Sequence, residues 1–293
     1  MISILIPEYN YNCSGLVADL HELCKKACIS FEILVMDDAS SKFMDENKVI
    51  EQLSHCRFVK SEVNQGAARC RNQLAKMAIY DWLLFLDCDL EVTHPAFIEQ
   101  YLQAIPTNQV VAGAVTYQKD KPEKDKLLRW VYGIKRENTS AFERNKQPWK
   151  SLSSVNLLLH RSVYERFPFD EGIKDYGHED TLYGYVLKKA GIPILHIDNQ
   201  LIHNGLETSL AFLEKSLVAA MKYQMPPFCD NLELQEEIKL FRVYNRLVSC
   251  RLNRLFAWKF TLTASLMRRN LLGKHPNLFL FDVYRLGYLC KRM

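Results

Sequence analysis

Two pairs of carboxylates occupy positions in this chain from which chemistry is feasible: Asp87 with Asp89, and Glu179 with Asp180. Asp87-Cys88-Asp89 closes the apolar run Trp82 to Leu86, so a departing loop can aim both carboxylates around one ligand. Hard oxygen donors of this kind suit Mg2+ or Mn2+, which in turn binds phosphate oxygens. Taken alone, an Asp-rich loop start serves equally well to cap a helix or solvate a turn. The segment Tyr176-Gly177-His178-Glu179-Asp180 sets its carboxylates beyond a glycine at the start of a predicted helix. A positioned carboxylate lowers the barrier for a hydroxyl nucleophile by taking its proton as the new bond forms, although Glu-Asp at a helix N-terminus also simply suits the macrodipole.

Smaller features surround these pairs. Asp38, in Asp37-Asp38-Ala39-Ser40, can accept the imide hydrogen of a uracil ring, or can belong to an Asx-turn leading into the next element. Tyr9 can offer a face to such a ring, a contact of roughly 1–3 kcal/mol. Arg71 follows Asn64-Gln65-Gly66 and is placed to reach a pyrophosphate or to remain an ordinary surface arginine. His203, in Ile202-His203-Asn204-Gly205, can give an imidazole to the metal held by the aspartates, with His196 as a competitor. Cys24 and Cys28 lie four apart on a predicted helix, without the second pair that a structural metal site needs.

The elements that must position these groups are legible as short apolar runs alternating with amphipathic stretches. Strands are predicted at Ile2 to Ile6, Glu32 to Met36, Arg57 to Ser61, Trp82 to Leu86, Val110 to Thr116, Val155 to His160 and Ile192 to Ile197. Helices are predicted at Leu16 to Cys28, Ala67 to Ala78 and Thr181 to Ala190, with a charged helix and loops from Lys119 to Lys150. The result is an open α/β sheet, and such sheets bind ligands outside the carboxyl ends of their strands. The polar groups Pro7-Glu8-Tyr9-Asn10, Asp37-Asp38, Asn64-Gln65-Gly66 and Asp87-Cys88-Asp89 fall at or just beyond four consecutive ends. Strand signals stop near residue 205, and helical runs broken by Pro226-Pro227 fill the remainder.

The totals set bounds. At 293 residues the chain accommodates one α/β domain with an appendage. With 48% hydrophobic and 25% charged residues it is neither disordered nor a disulfide-stapled miniprotein. A net charge of +4 gives no nucleic-acid-binding surface. Nine cysteines scattered as singletons indicate reduced, cytoplasmic usage. The N-terminus lacks the marks of a signal peptide, and Leu255 to Met267, the best spanning candidate, is short and interrupted by Lys259. The expectation is a cytoplasmic protein, peripheral at the inner face of the membrane if the basic stretch from Arg242 to Arg269 forms an amphipathic surface helix.

Taken in order, Pro7-Glu8-Tyr9-Asn10, Asp37-Asp38-Ala39-Ser40, Asn64-Gln65-Gly66 with Arg71-Asn72, Asp87-Cys88-Asp89 and Glu179-Asp180 resemble the family-2 glycosyltransferases of GT-A fold. The Gly177-His178-Glu179-Asp180 segment is similar to that of chondroitin-polymerase and N-acetylgalactosaminyltransferase-like enzymes, in which a later histidine completes the metal shell. The resemblance covers residues 1 to 205 and implies a mixed, mostly parallel GT-A sheet there, with 206–293 a helical C-terminal extension. It implies a donor site built from Pro7, Tyr9, Asn10, Asp38, Asn64, Gly66, Arg71, Asp87 and Cys88, with Tyr9 on the nucleobase and Asp38 on uracil. Asp87 would touch ribose or metal-bound water. Asp89, with His203 and Asp87, would hold Mn2+ or Mg2+. Asp180 would be the base and Glu179 would orient the acceptor.

The implied reaction is inverting transfer from a UDP-sugar to a hydroxyl of a saccharide or lipid-linked acceptor, in cell-surface polysaccharide or glycan synthesis. Ala39 replaces a frequent glycine of the second motif, which constrains the backbone there. The Gln-x-x-Arg-Trp signature of processive synthases is absent after Asp180, and Lys126-Leu127-Leu128-Arg129-Trp130 is a near match in the wrong place, so a single transfer is expected. Two rivals remain. A sugar-phosphate nucleotidyltransferase needs a Gly-rich basic loop after the first strand, which Tyr9 to Asn12 does not supply. A non-catalytic nucleotide-sugar-binding protein of the same fold would not need Asp89 and Asp180.

Overall fold

A computed structural model describes residues 1–173 and 176–293. The described chain forms two compact units, the first from Met1–Gln118, residues 138–173 and Val186–Gly205, the second from Lys119–Glu137, residues 176–185 and Leu206–Met293.

The first unit is built on one eight-stranded sheet. Its strands are β1 (Ile2–Glu8), β2 (Phe31–Asp37), β3 (Cys56–Lys60), β4 (Trp82–Leu86), β5 (Leu90–Val92), β6 (Val110–Thr116), β7 (Asn156–His160) and β8 (Leu195–His203), in the order β3-β2-β1-β4-β7-β6-β8-β5. From β3 to β4 all neighbours are parallel; β7 is antiparallel to β4 and β6, β8 is parallel to β6, and β5 is antiparallel to β8. The central strands read as nearly continuous apolar runs because both faces are covered. Ile4, Leu5, Ile33, Leu34, Leu84 and Phe85 are fully buried. Helices α1 (Ser14–Lys26), α2 (Ala67–Met77) and α3 (Phe97–Ala104) cross between strands, and Leu16, Val17 and Leu20 of α1 join the core on one face. This is the expected open mixed α/β sheet, with its parallel half at the N-terminal side.

Two departures bear on function. β5 has only three residues, too few for a period-2 pattern to declare itself, and it exists because β8 pairs with it. β8 runs nine residues, to His203, although His196, Asp198, Asn199 and Gln200 break its apolar run. Asn199 fits because a buried amide network accepts it: the Asn156 side chain donates to the carbonyls of Ala114 and Asn199, and Asn199 donates to that of Phe97.

The second unit is helical. It contains α4 (Leu127–Tyr132), which continues into a π-helical turn at Gly133–Glu137, then α6 (Ser209–Met221), α7 (Lys239–Ser249), α8 (Asn253–Leu271) and α9 (Leu278–Arg292). The helix that carries the Glu-Asp pair is α5 (Glu179–Lys189). Thr208 caps α6 by accepting the Ala211 N–H, and Asn277 caps α9 by accepting those of Phe279 and Leu280. Phe212 and Phe281 stack at 5.5 Å at the centre of a core with Leu128, Phe260 and Leu271. The basic run from Arg242 to Arg269 is two helices, α7 and α8, parted where Arg251 takes a left-handed conformation at φ 58°. Among the described residues no helix is long and apolar enough to cross a membrane.

Candidate functional site

The Asp87-Cys88-Asp89 turn joins the sheet's fourth strand to its last. Leu90 pairs with His203 across the β5–β8 ladder, and the Asn204 N–H donates to the Asp89 carbonyl at 2.9 Å. That pairing sets His203 Nε2 3.5 Å from Asp89 Oδ2, with both side chains largely buried. His203 Nδ1 has no hydrogen-bond partner among the described residues, and the ring lies 5.6 Å from that of Tyr117, just past the end of β6. Gly205 completes the arrangement, because a Cβ there would land on the Asp89 carboxylate.

A carboxylate oxygen and an imidazole nitrogen converging in this way fit Mn2+ or Mg2+. No group of three His, Cys, Asp or Glu able to hold an ion occurs among the described residues. Among the described residues, Asp89 and His203 are the pair that would hold such an ion, whose charge would suit a diphosphate. Asp87 is held by Arg71, which donates to its Oδ1 at 2.6 Å and lies 5.7 Å from the Phe169 ring. Arg71, buried on α2, is therefore engaged with Asp87, which lies outside the two-ligand pair. Burial, then the charge of Asp89, raises the Cys88 thiol well above its usual range.

The competing histidine, His196, is buried. Its Nε2 lies 2.9 Å from the Pro148 carbonyl and its Nδ1 3.3 Å from Arg144 Nε, so both ring nitrogens have partners inside the fold. Cys24 is buried while Cys28 is exposed in a left-handed turn beyond α1, and all nine cysteines are free.

On the parallel side, Tyr9 stands 54% exposed at the end of β1, a ring face open to stacking. Asp38 is nearly buried, and its carboxylate accepts the backbone N–H groups of Gln65 and Gly66 at 2.8 and 2.9 Å. It thus builds the entry to α2, and Asn64 adds a bond to the Asp38 carbonyl. Asn10, at φ 54°, accepts the backbone N–H groups of Ser41 and Lys42, tying the first two strand ends together. Pro7 lies within β1, opposite Met36 of β2.

Two further side chains stand beside these groups without a role that residue type alone declares. Tyr11 has its phenol raised by burial and then by the charges of Asp89, Cys88 and Glu91, which places it beside the Asp89 turn. Glu8 pairs in register with Asp37 inside the sheet. Burial is the main force that lifts its carboxyl to about 7; the Asp37 charge adds to it, while the Tyr11 N–H and Ser40 hydroxyl oppose it. Folded Glu8 holds its proton above the unfolded value of 4.5, so its contribution to stability is complete below that value and is lost as pH rises through about 7. Glu8→Gln is expected to flatten the decline in unfolding temperature across that window, measured by thermal denaturation against pH. Equal slopes in both proteins would exclude the assignment.

Within the second unit, α5 opens with Glu179 and Asp180 in its first turn. Glu179 accepts the Gly177 N–H at 3.0 Å. Gly177 has φ 113°, and a Cβ there would overlap Ala219 of α6. His178 packs against the rings of Phe228 and Phe241, and burial, followed by the charges of Arg285 and Lys222, lowers its pKa to about 3. The Gly-His pair is an anchor, a neutral ring and a close backbone approach that fix the start of the helix carrying Asp180.

The family model described as Glycosyl transferase family 2 matches residues 3–172. A Haemophilus influenzae protein named an uncharacterized glycosyltransferase is 37% identical over 110 residues, covering 37% of this chain and 35% of its own. Chondroitin synthase of Escherichia coli is 24% identical over 285 residues, covering 83% of this chain and 41% of its own. The chain thus spans only about 35–41% of the length of these two relatives. Among solved structures, S. aureus TarS 1-349 matches with a TM-score of 0.51 at 16% identity, over 97% of this chain and 89% of that one. Glucosyl-3-phosphoglycerate synthase from Mycobacterium tuberculosis, in complex with Mn2+, UDP and glucosyl-3-phosphoglycerate, matches with a TM-score of 0.51 at 16% identity, over 76% of this chain and 79% of that one. At such identities these structures speak for the fold alone.

Proposed function

From the premise that the chain belongs to glycosyl transferase family 2 and is a glycosyltransferase using a nucleotide sugar, we propose that it moves a hexose or N-acetylhexosamine from a UDP-sugar to a hydroxyl of a saccharide or lipid-linked acceptor. The transfer inverts the anomeric centre, occurs once per encounter, and serves cell-surface polysaccharide synthesis. The observation that carries this reading is the Asp89–His203 pair, held by the β5–β8 ladder at the polar strand ends where Tyr9 offers an exposed ring.

In this reading Tyr9 stacks on the uracil, and Asp38 meets its imide edge while holding the turn at Gln65 and Gly66. Arg71 steadies Asp87, which faces the ribose. Asp89 and His203 would hold Mn2+ or Mg2+, which would supply positive charge to the leaving diphosphate. Asp180 takes the acceptor's proton while the acceptor oxygen bonds to the anomeric carbon from the face opposite the leaving group. The bond from that carbon to the diphosphate breaks, and nucleoside diphosphate leaves. Glu179 keeps the start of α5 in place through Gly177.

Thermal unfolding measured with nucleotide diphosphates and nucleotide sugars, with and without Mn2+, tests the donor assignment. UDP with Mn2+ is expected to stabilise the protein by about 2.7 kcal/mol at a hundredfold excess over its dissociation constant. No stabilisation by any nucleotide in the presence of metal would overturn it. Release of pyrophosphate from UTP and a sugar phosphate would point to nucleotidyl transfer instead.

A further inference from the structure

Helix α8 presents two unlike faces. One is packed: Phe260 lies 5.2 Å from the Tyr284 ring of α9, Leu271 is fully buried, and Gly287 of α9 makes room for Phe260. The other carries Leu255, Trp258, Leu262 and Leu266 at spacings of three, four and four, which align on one side of a helix. These side chains are 48%, 60%, 62% and 67% exposed. An uninterrupted apolar row of this kind, with a Trp within it, marks a surface that something covers.

The charge around the row identifies the cover. Between Lys239 and Met293 there are twelve Lys and Arg and a single acidic residue, Asp282, which is paired with Arg136. Lys259 lies four residues after Leu255, and Arg269 lies three after Leu266, so both flank the apolar row; Arg251, Arg254 and Arg268 are exposed nearby. Two copies of the chain meeting on this face would set like charges against each other. Nucleic acid would leave the leucines unburied. An anionic bilayer satisfies both features, since its acyl boundary receives the apolar row and its phosphates face the basic flanks.

We propose that the exposed face of α8 binds the surface of an anionic lipid bilayer, with the helix lying flat in the interfacial plane. Its nineteen residues span about 28 Å along the surface. Apolar row and basic flank act together, so binding requires anionic lipid and weakens as salt screens the phosphates.

The test is co-sedimentation of the full chain with phosphatidylcholine vesicles, with and without phosphatidylglycerol, at low and high salt. The wild-type chain is expected to bind the anionic vesicles and not the neutral ones. Trp258→Ser combined with Leu262→Ser is expected to lower partitioning about tenfold or more, with an unfolding temperature unchanged because both sites are exposed. Arg269→Gln with Lys259→Gln should weaken binding and reduce its salt dependence. The proposal is overturned if wild type ignores anionic vesicles or if the Trp258/Leu262 variant binds as wild type does. It is equally overturned if light scattering shows a wild-type dimer that the same variant dissolves, since a second copy then covers the face.

Discussion

Asp180→Asn is expected to lower sugar transfer by about a hundred- to ten-thousandfold, the span that a positioned general base supplies, while leaving donor binding intact. The amide keeps the shape of the carboxylate and cannot take the proton. Because Asp180 sits in the first turn of α5, whose start is fixed by Gly177 against Ala219 and by the neutral His178 ring, the exchange does not disturb the anchor. Titration of UDP, followed by thermal unfolding, should match wild type, and turnover at saturating donor and acceptor should collapse. A variant that turns over at the wild-type rate would remove Asp180 from the role of base.

Asp89→Ala is expected to lower transfer by at least about a hundredfold, comparable to the loss of one preorganised charge-stabilising group, and to abolish the dependence of activity on Mn2+ concentration. The imidazole of His203 would remain, fixed by the β5–β8 ladder and the Tyr117 ring, but one neutral ligand holds Mn2+ or Mg2+ weakly. Activity measured across a Mn2+ series separates this from misfolding, since the unfolding temperature without metal should stay close to wild type. An unchanged metal response would place the ion elsewhere. His203→Ala belongs in the same series and should shift the response to higher Mn2+.

The parallel half of the sheet was legible because each central strand is covered on both faces and therefore reads as an apolar block between helical periods, as in Ile2 to Ile6 and Trp82 to Leu86. β5 was not, since three residues carry no period and their pairing comes from a partner more than a hundred residues away. β8 runs on past its apolar start because its buried polar residues find partners that no local pattern announces, Asn199 with Asn156 and the Phe97 carbonyl, His196 with Pro148 and Arg144. At the site, residue types point to Asp87, Asp89 and His203, while the fold alone sets their partners: Arg71 holds Asp87, and His203 lies against Asp89. Asp38 shows how the two readings of one residue merge, because the turn-building carboxylate of the plain alternative is the same group the donor reading needs. A substitution at Asp38 therefore alters the entry to α2 and any contact with uracil together. Glu8 gave no signal in the sequence beyond its own charge. Its proton affinity comes first from burial in the sheet and then from facing Asp37 in register, both of which the pairing of strands creates.

The glycine beneath the Asp89 carboxylate has a practical consequence for anyone recombining this chain with its relatives. His203 is held by the ladder, Asn204 donates its backbone N–H back to Asp89, and any side chain at residue 205 would evict the carboxylate from its partner. These three positions are one mechanical joint with the Asp-Cys-Asp turn and travel with it. Chimeras that exchange the downstream helices should be spliced at Leu206 or later; a seam one residue earlier that brings in anything but glycine at 205 would press a Cβ on the Asp89 carboxylate, whatever the imported segment was meant to recognise.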